Sequence, residues 1–350
     1  MVVGEDGRAP LPWLQAPLRD ALARQRSHAL LVQAGPGFGA LEFMSALAQA
    51  WLCEGPAGQQ PCGRCGSCRL VRSRTHPDLR VLMPEALRVS LGWIDAGDDG
   101  EGSRGKKKPS RQIRIDEVRA AIDWVVQSSS RGRAKVMLLH PAEAMNLQAA
   151  SALLKTLEEP PGQARLLLST RDTSLLLPTL RSRCQHIGLP PPDREDAIRW
   201  LGEQGLADAA PLLAAAGGAP LAALAMSKAG IDAAAWASLP QSVAQGQAAA
   251  LAGWPVAQAV EVLQKLCHDA MVLTAGGKPL YFAAASLPDG ADLTRLTAWA
   301  RTLGRVARHD EHPWNEALLV EALVAEGRTC WQEATTRAPN TRKPLGTLGR

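Results

Sequence analysis

No run of roughly 18 or more apolar residues occurs in the 350-residue chain, so no membrane-spanning helix is expected. The opening residues, Met1-Val2-Val3-Gly4-Glu5-Asp6, lack the basic and apolar stretches of a secretory leader, which makes cytoplasmic residence the expectation. Charge of one sign is scarce as well: 39 Lys and Arg against 34 Asp and Glu leave a formal net charge of +5. A surplus that small reads as an ordinary solvated surface and assigns no nucleic-acid partner. Basic residues are not interleaved with aromatics, and the ten Trp are scattered without a repeat. They are expected to be core or interface anchors rather than a base-stacking platform.

What is present points to a soluble protein of two or three domains: hydrophobic residues make up 46% and charged residues 21%. Three short apolar runs, Ala29 to Gln33, Lys135 to Leu139 and Arg165 to Ser169, do not alternate polar with apolar residues. That is the pattern of parallel strands covered by helices on both faces. Helical patterns lie between them. Leu41 to Leu52 is one, and Asp116 to Gln127 is a second, with Val118, Ile122 and Val125 on one face and two carboxylates in its first turn. Leu147 to Glu158 is a third, capped by Asn146, ended by Pro160-Pro161, and carrying a predicted core stripe of Leu147, Ala150, Leu154 and Leu157. Strands alternating with helices argue for an α/β domain with a parallel sheet.

The segment 95–111 is rich in Gly, Ser, Lys and Asp and reads as a flexible insertion. Its Lys106-Lys107-Lys108 run could touch nucleic acid or simply belong to a solvated loop. After Pro190-Pro191-Pro192 the chain becomes Ala- and Leu-rich with helical periodicity through about 335. A break between Gly217-Gly218 and Gly230-Ile231 divides a small helical unit from a larger one, and 336–350 reads as a disordered tail.

The first strand runs into Ala34-Gly35-Pro36-Gly37-Phe38-Gly39-Ala40-Leu41 and then a helix, the layout a phosphate-binding loop requires. A working loop reads G-x-x-x-x-G-K-[ST]. Here Gly39 supplies the second glycine, but Ala34 replaces the first. Ala40 stands where Lys should reach the phosphates, and Leu41 where a hydroxyl should hold Mg²⁺. After the strand Lys135 to Leu139, where an acidic pair should position metal and water, the residues are His140 and Pro141. The turn survives and its chemistry does not, so no ATP binding is expected. Taken alone, the segment also fits a generic strand-to-helix turn, and His140 also fits an ordinary strand-end histidine.

Four of the seven cysteines, Cys53, Cys62, Cys65 and Cys68, have spacings of eight, two and two residues. In a reducing compartment such clustering favours metal over disulfides, and four thiolates close a structural Zn²⁺ shell with no open catalytic position. Gly63 and Gly66 allow the backbone to fold tightly around the ion. Redox use of the Cys-x-x-Cys units is the rival reading. Cys184, Cys267 and Cys330 are too dispersed to join the cluster and are expected to pack in the interior.

At Asn146 to Pro161 the chain reads NLQAASALLKTLEEPP, and at Thr179 to Cys184 it reads TLRSRC. Together with the altered loop and the cysteine cluster, these resemble the AAA+ subunits of the bacterial replicative clamp loader, over roughly Leu14 to Ile187. The resemblance implies a RecA-like AAA+ domain over 1–190, holding the zinc module at 53–68, then a helical lid over 191–230. A helical collar that oligomerises in a ring is implied over 231–335. It further implies that Arg183, in the Ser-Arg-Cys motif, acts in trans on nucleotide held by a neighbour, with Ser182 and Cys184 supporting the turn. Leu221, in Gly218-Ala219-Pro220-Leu221-Ala222, stands where nucleotide-using relatives carry Arg, and Leu168-Ser169-Thr170-Arg171 matches the first sensor.

The implied partners are gamma/tau-type motor subunits and a delta-type subunit in a hetero-oligomeric ring, with the sliding clamp and primed DNA reached through the complex. The implied role is a non-hydrolysing subunit of the DNA polymerase III holoenzyme. A motor subunit that hydrolyses ATP itself is the enzyme-class rival, and a stand-alone zinc-containing nucleic-acid-binding protein is the third reading. Arg183 is, on the plainest reading, one surface arginine among many.

Overall fold

The computed structural model describes residues 2–94, 109–308 and 315–332. The insertion expected at 95–111 falls outside them except for 109–111, as do Lys106 to Lys108 and the tail at 336–350. The chain divides into two compact units, Met1–Ala229 and Gly230–Arg350. Among the described residues no single helix is long and apolar enough to cross a membrane.

In chain order the first unit runs α1 (Gln15–Arg24), β1 (Ala29–Gln33), α2 (Ala40–Leu52), α3 (Gly66–Arg72), β2 (Leu79–Leu82) and α4 (Glu85–Ser90). It continues with α5 (Ile115–Val126), β3 (Lys135–Leu139), α6 (Leu147–Glu158), β4 (Ala164–Thr170), α7 (Pro178–Arg181) and β5 (Gln185–Gly188). Three helices follow: α8 (Arg194–Glu203), α9 (Ala209–Ala215) and α10 (Pro220–Lys228).

The five strands form one parallel sheet in the order β2-β3-β4-β1-β5. The continuous apolar runs are explained by burial on both faces. Ala29, Leu31, Met137, Leu139, Leu166 and Leu168 face a core shared with Val118, Ala121 and Val125 of α5 and Ala149, Leu153 and Leu157 of α6. The alternate residues Leu30, Val32, Val136, Leu138 and Leu167 are equally buried, and α2 packs against β1, β3 and β4. The two edge strands, β2 and β5, were not expected from the sequence; both are short and largely half-exposed or exposed.

The three predicted helices occur within a residue or so of their expected bounds. Asn146 caps α6, its side-chain oxygen accepting from the Ala149 amide at 2.8 Å. The predicted stripe on α6 needs correction: Leu147 is 66% exposed and Leu154 only half-buried, while Ala149, Ala150, Leu153 and Leu157 are buried. Helical side chains lean toward the helix N-terminus, so Leu147, in the first turn, projects beyond the body of α6, where no earlier turn covers it.

Beside the sheet, the fully buried Asp78 carboxylate ties β2 to the turn before β3. It accepts from the amides of Ser130 (2.8 Å) and Arg131 (3.0 Å) and lies 3.8 Å from the buried Lys135 ammonium. Lys135 in turn sits 4.1 Å from the centre of the Trp124 ring, so the buried cation has both an anion and a π-face.

The second unit contains α11 (Ala233–Ala244), α12 (Val256–Thr274), α13 (Leu293–Ala307) and α14 (Glu316–Arg328). Trp236 and Trp299 are buried anchors, the first stacked on Phe282 with centroids 4.6 Å apart. Asp269, on α12 and fully buried, accepts from the amides of Leu280, Tyr281 and Phe282 at 3.0, 2.7 and 2.8 Å. Removing the carboxylate takes the acceptor from all three, of which only the Phe282 bond is fully buried, and an orphaned buried donor costs about 1–3 kcal/mol. Asp269→Ala is therefore expected to destabilise this unit by about 2–3 kcal/mol, most of it from the Phe282 amide. Urea melts of the full chain, followed by hydrogen exchange at the α12 amides, provide the check.

Candidate functional site

The loop from Ala34 to Leu41 closes over the end of β1. The Ala34 amide donates to the Thr170 carbonyl at 3.1 Å, carrying the sheet pairing one residue further, and Gly39 adopts φ +97° to start α2. Ala40 is half-buried, and Leu41, in the place of a metal-binding hydroxyl, is buried in the core. Neighbours hold the loop on two sides. The indole of Trp13 donates to the Phe38 carbonyl at 2.9 Å, and Trp13 meets Trp200 of α8 edge-on at 5.3 Å. The amide of Leu221, at the start of α10, donates to the Gly37 carbonyl at 3.3 Å. Gly37 has φ +79°, which disfavours any side chain, and a Cβ there would lie 3.1–3.2 Å from Ala219 and Ala222, so the loop sits tightly against the start of α10.

The other positions that nucleotide chemistry would use are committed elsewhere. His140 shares a 2.6 Å hydrogen bond with the Ser169 hydroxyl, and burial pushes its pKa down to about 4, so it is neutral near pH 7. The buried Thr170 hydroxyl donates to the Asp172 carbonyl at 2.8 Å and accepts from the Asp172 amide at 3.2 Å, a local turn.

Arg183 lies at the opposite end of the sheet. Strand β5 pairs with β1 in the register Leu30↔Gln185 to Gln33↔Gly188, so Arg183 precedes the strand start while the loop follows its end. At ~3.3 Å per residue that separation is at least roughly 10 Å along the strands. Arg183 Nε donates to Glu158 Oε1 at 2.6 Å, its Nη2 donates to the same oxygen, and its Nη1 donates to the Thr179 carbonyl at 2.7 Å. Ser182, exposed, donates to the Thr179 carbonyl at 3.2 Å. Cys184 is buried beneath the turn, with its pKa pushed up to about 12 by burial. Cys267 and Cys330 are likewise buried. Glu158, in the LEEPP end of α6, is a site residue that spacing does not reveal, because 25 positions separate it from Arg183 and only the fold brings them together.

The four clustered cysteines converge. Cys53 ends α2, Cys62 lies in the following loop, Cys65 caps α3 and Cys68 lies within it. Their sulfurs are all within 4.8 Å of one another, with Cys53 and Cys65 at 3.9 Å. Four thiolates around Zn²⁺ at about 2.3 Å require S–S separations of about 3.8 Å, so this donor set fits such an ion. Backbone amides of Gly55, Cys62, Glu54, Cys65 and Cys68 donate to the sulfurs of Cys53, Cys62 and Cys65 at 3.2–3.5 Å, which favours the thiolate form a metal needs. Gly63 takes φ +70° beneath the Gly4 carbonyl, where a side chain would collide with backbone. Gly66 does not have a positive φ, but a Cβ there would lie 3.0 Å from Arg131 Nη2 and 3.4 Å from Glu54 Oε2, pressing on that ion pair rather than on backbone. The module is tied to the sheet by Arg131, which pairs with Glu54 at 2.6 Å and donates to the Ser67 hydroxyl at 3.1 Å.

Residues 14–193 match a family model described as DNA polymerase III, delta subunit. The chain belongs to that family. The loop, the cysteine cluster and Arg183 all fall inside the delta-subunit match, which spans the five-stranded parallel sheet and its covering helices and is followed by helical segments. A protein named DNA polymerase III subunit delta′ from Pseudomonas aeruginosa is 38% identical over 221 residues, covering 61% of this chain and 60% of that protein. The subunit delta′ of Escherichia coli is 36% identical over 222 residues with the same two shares. The chain thus spans about 60% of the length of these curated relatives. A solved DNA polymerase III gamma subunit-related protein from Thermotoga maritima aligns over 91% of this chain and 100% of its own, at 18% identity and a TM-score of 0.49.

Proposed function

We propose that this chain is a non-hydrolysing subunit of a DNA polymerase III clamp loader, one that lends Arg183 to a neighbouring ATPase subunit. The observation that carries the reading is the separation of the two features. The chain's own loop lacks the lysine and the hydroxyl and is packed against α10, while Arg183 sits at the far end of the sheet, out of that loop's reach. An arginine placed there serves a phosphate only if another subunit presents it. Its guanidinium stays charged and can brace the charge that develops on a transferring γ-phosphoryl group.

In this reading 1–190 form the AAA+ domain, 191–230 the lid and 231–335 the collar that oligomerises. The partners are gamma/tau-type motor subunits and a delta-type subunit in one ring, acting on the sliding clamp and primed DNA. Zn²⁺ held by Cys53, Cys62, Cys65 and Cys68 supplies a structural cross-link between the end of α2 and α3.

Two measurements test the proposal together. Isothermal titration of the chain with ATP and Mg²⁺ is expected to give no binding heat. Adding the chain to motor and delta-type subunits, with clamp and primed DNA, is expected to raise both ATP turnover and clamp loading. Mg²⁺-dependent ATP binding by the chain alone would restore the motor-subunit reading. Unchanged turnover on its addition would remove it from the machine altogether.

A further inference from the structure

We propose that Glu158 is a positioning residue for Arg183, holding its guanidinium in the orientation from which it meets a neighbour's phosphate. The inference rests on the reading of Arg183 as a trans-acting arginine and adds a residue to it.

Glu158 is the last residue of α6, where the helix carbonyls already concentrate negative charge. A carboxylate is unfavourable there, and Glu159 follows immediately, so helix stability does not account for it. Arg183 does. One Glu158 oxygen accepts from both Nε and Nη2, which fixes the side edge of the guanidinium, and the Thr179 carbonyl fixes Nη1. A guanidinium has five N–H groups. Three are held in this way, and a fourth leans on the exposed Ser182 hydroxyl at 3.4 Å, the limit of hydrogen bonding. The fifth, on Nη2, has no acceptor among the described residues. The distal end of the fork, Nη1 with Nη2, is therefore oriented but not saturated, as a group that must donate to an incoming oxyanion has to be.

Both partners remain partly open to solvent, with 31% of the Arg183 side chain and 47% of the Glu158 side chain exposed. The pair joins the two motifs by which the chain resembles its family, the LEEPP end of α6 and the Ser-Arg-Cys turn. Without Glu158 the long arginine side chain would sample several rotamers, and an effective catalytic group displaced by about 1 Å can lose ~10²-fold in rate.

The test uses reconstituted rings in which every motor subunit except the one facing Arg183 carries a substituted phosphate-loop lysine, so that one site is read. Glu158→Ala is expected to lower kcat at that site about 10- to 100-fold with little change in KM for ATP. Glu158→Gln, which keeps the accepting oxygen, is expected to recover most of the rate. In an Arg183→Ala background, Glu158→Ala should have no further effect, which a merely structural role would not produce. If Arg183→Ala lowers kcat and Glu158→Ala does not, this inference is wrong while the trans-arginine reading stands. A rise in kcat with Glu158→Ala would overturn it as well, by showing that Glu158 restrains Arg183. If Arg183→Ala itself is silent, the underlying reading has failed.

Discussion

Replacing Arg183 with Ala is expected to slow ATP turnover at the single neighbouring site by about 10³-fold, the lower end of what an arginine supplied in trans contributes. The size follows from the proposed role: a guanidinium presented to a neighbour's phosphate would neutralise charge on its oxygens where water is excluded, and no solvent would replace it at the moment of transfer. The loss is expected in kcat, because ATP is bound chiefly by the motor subunit's own loop. Arg183→Lys should recover little, since an ammonium keeps the charge but not the planar fork that Glu158 and Thr179 align. Misfolding will not imitate this result. The Arg183–Glu158 pair is partly exposed, and pairs of that kind contribute ~1 kcal/mol or less. The turn is held instead by the buried Leu180 and Cys184. Single-turnover kinetics on rings with one competent site give the measurement, and equal rates for wild type and variant would dismiss the trans role.

The parts of the fold legible in the sequence were those buried on both sides. Residues 29–33, 135–139 and 164–170 are the three inner strands of the sheet, and burial on two faces made them apolar runs. The outer strands left no such mark. Leu79–Leu82 and Gln185–Gly188 each have a neighbour on only one side, tolerate polar residues and are four residues long. The same logic separates the two halves of the site. Cys53 to Cys68 and the Gly35 to Leu41 turn are local in sequence, so spacing alone exposed them. The seating of Gly37 against Ala219 and Ala222, and the hold of Glu158 on Arg183, join segments distant in the chain and exist only once the sheet has folded. Leu147 shows the remaining gap: periodicity marked an apolar face but could not show that its first residue overhangs the end of the helix.

Purified without chelator, the chain is expected to carry one zinc ion, and removing it is expected to loosen 53–72 without melting the sheet. Cys53 and Cys68 are fully buried, so a free set of four thiols would leave two of them packed and the loop between them without an anchor. Binding of structural zinc contributes ~10–16 kcal/mol in isolated zinc-finger peptides. Here much of the surrounding order is independent of the metal: α2 is held by the sheet, and Arg131 grips Glu54 and Ser67 from the side. The cost is therefore expected to be local, several kcal/mol concentrated in α3 and the preceding loop. Cys65→Ser should show it most clearly, because Cys65 supplies a ligand and also caps α3 by accepting the Cys68 amide at 3.4 Å. Hydrogen exchange should rise across α3 while the amides of β1 and β4 stay protected. Because each thiolate must be unprotonated to bind, zinc should be retained at neutral pH and released as pH falls. Metal analysis showing no zinc, with mass spectrometry finding the cysteines paired as disulfides, would return the cluster to the redox reading.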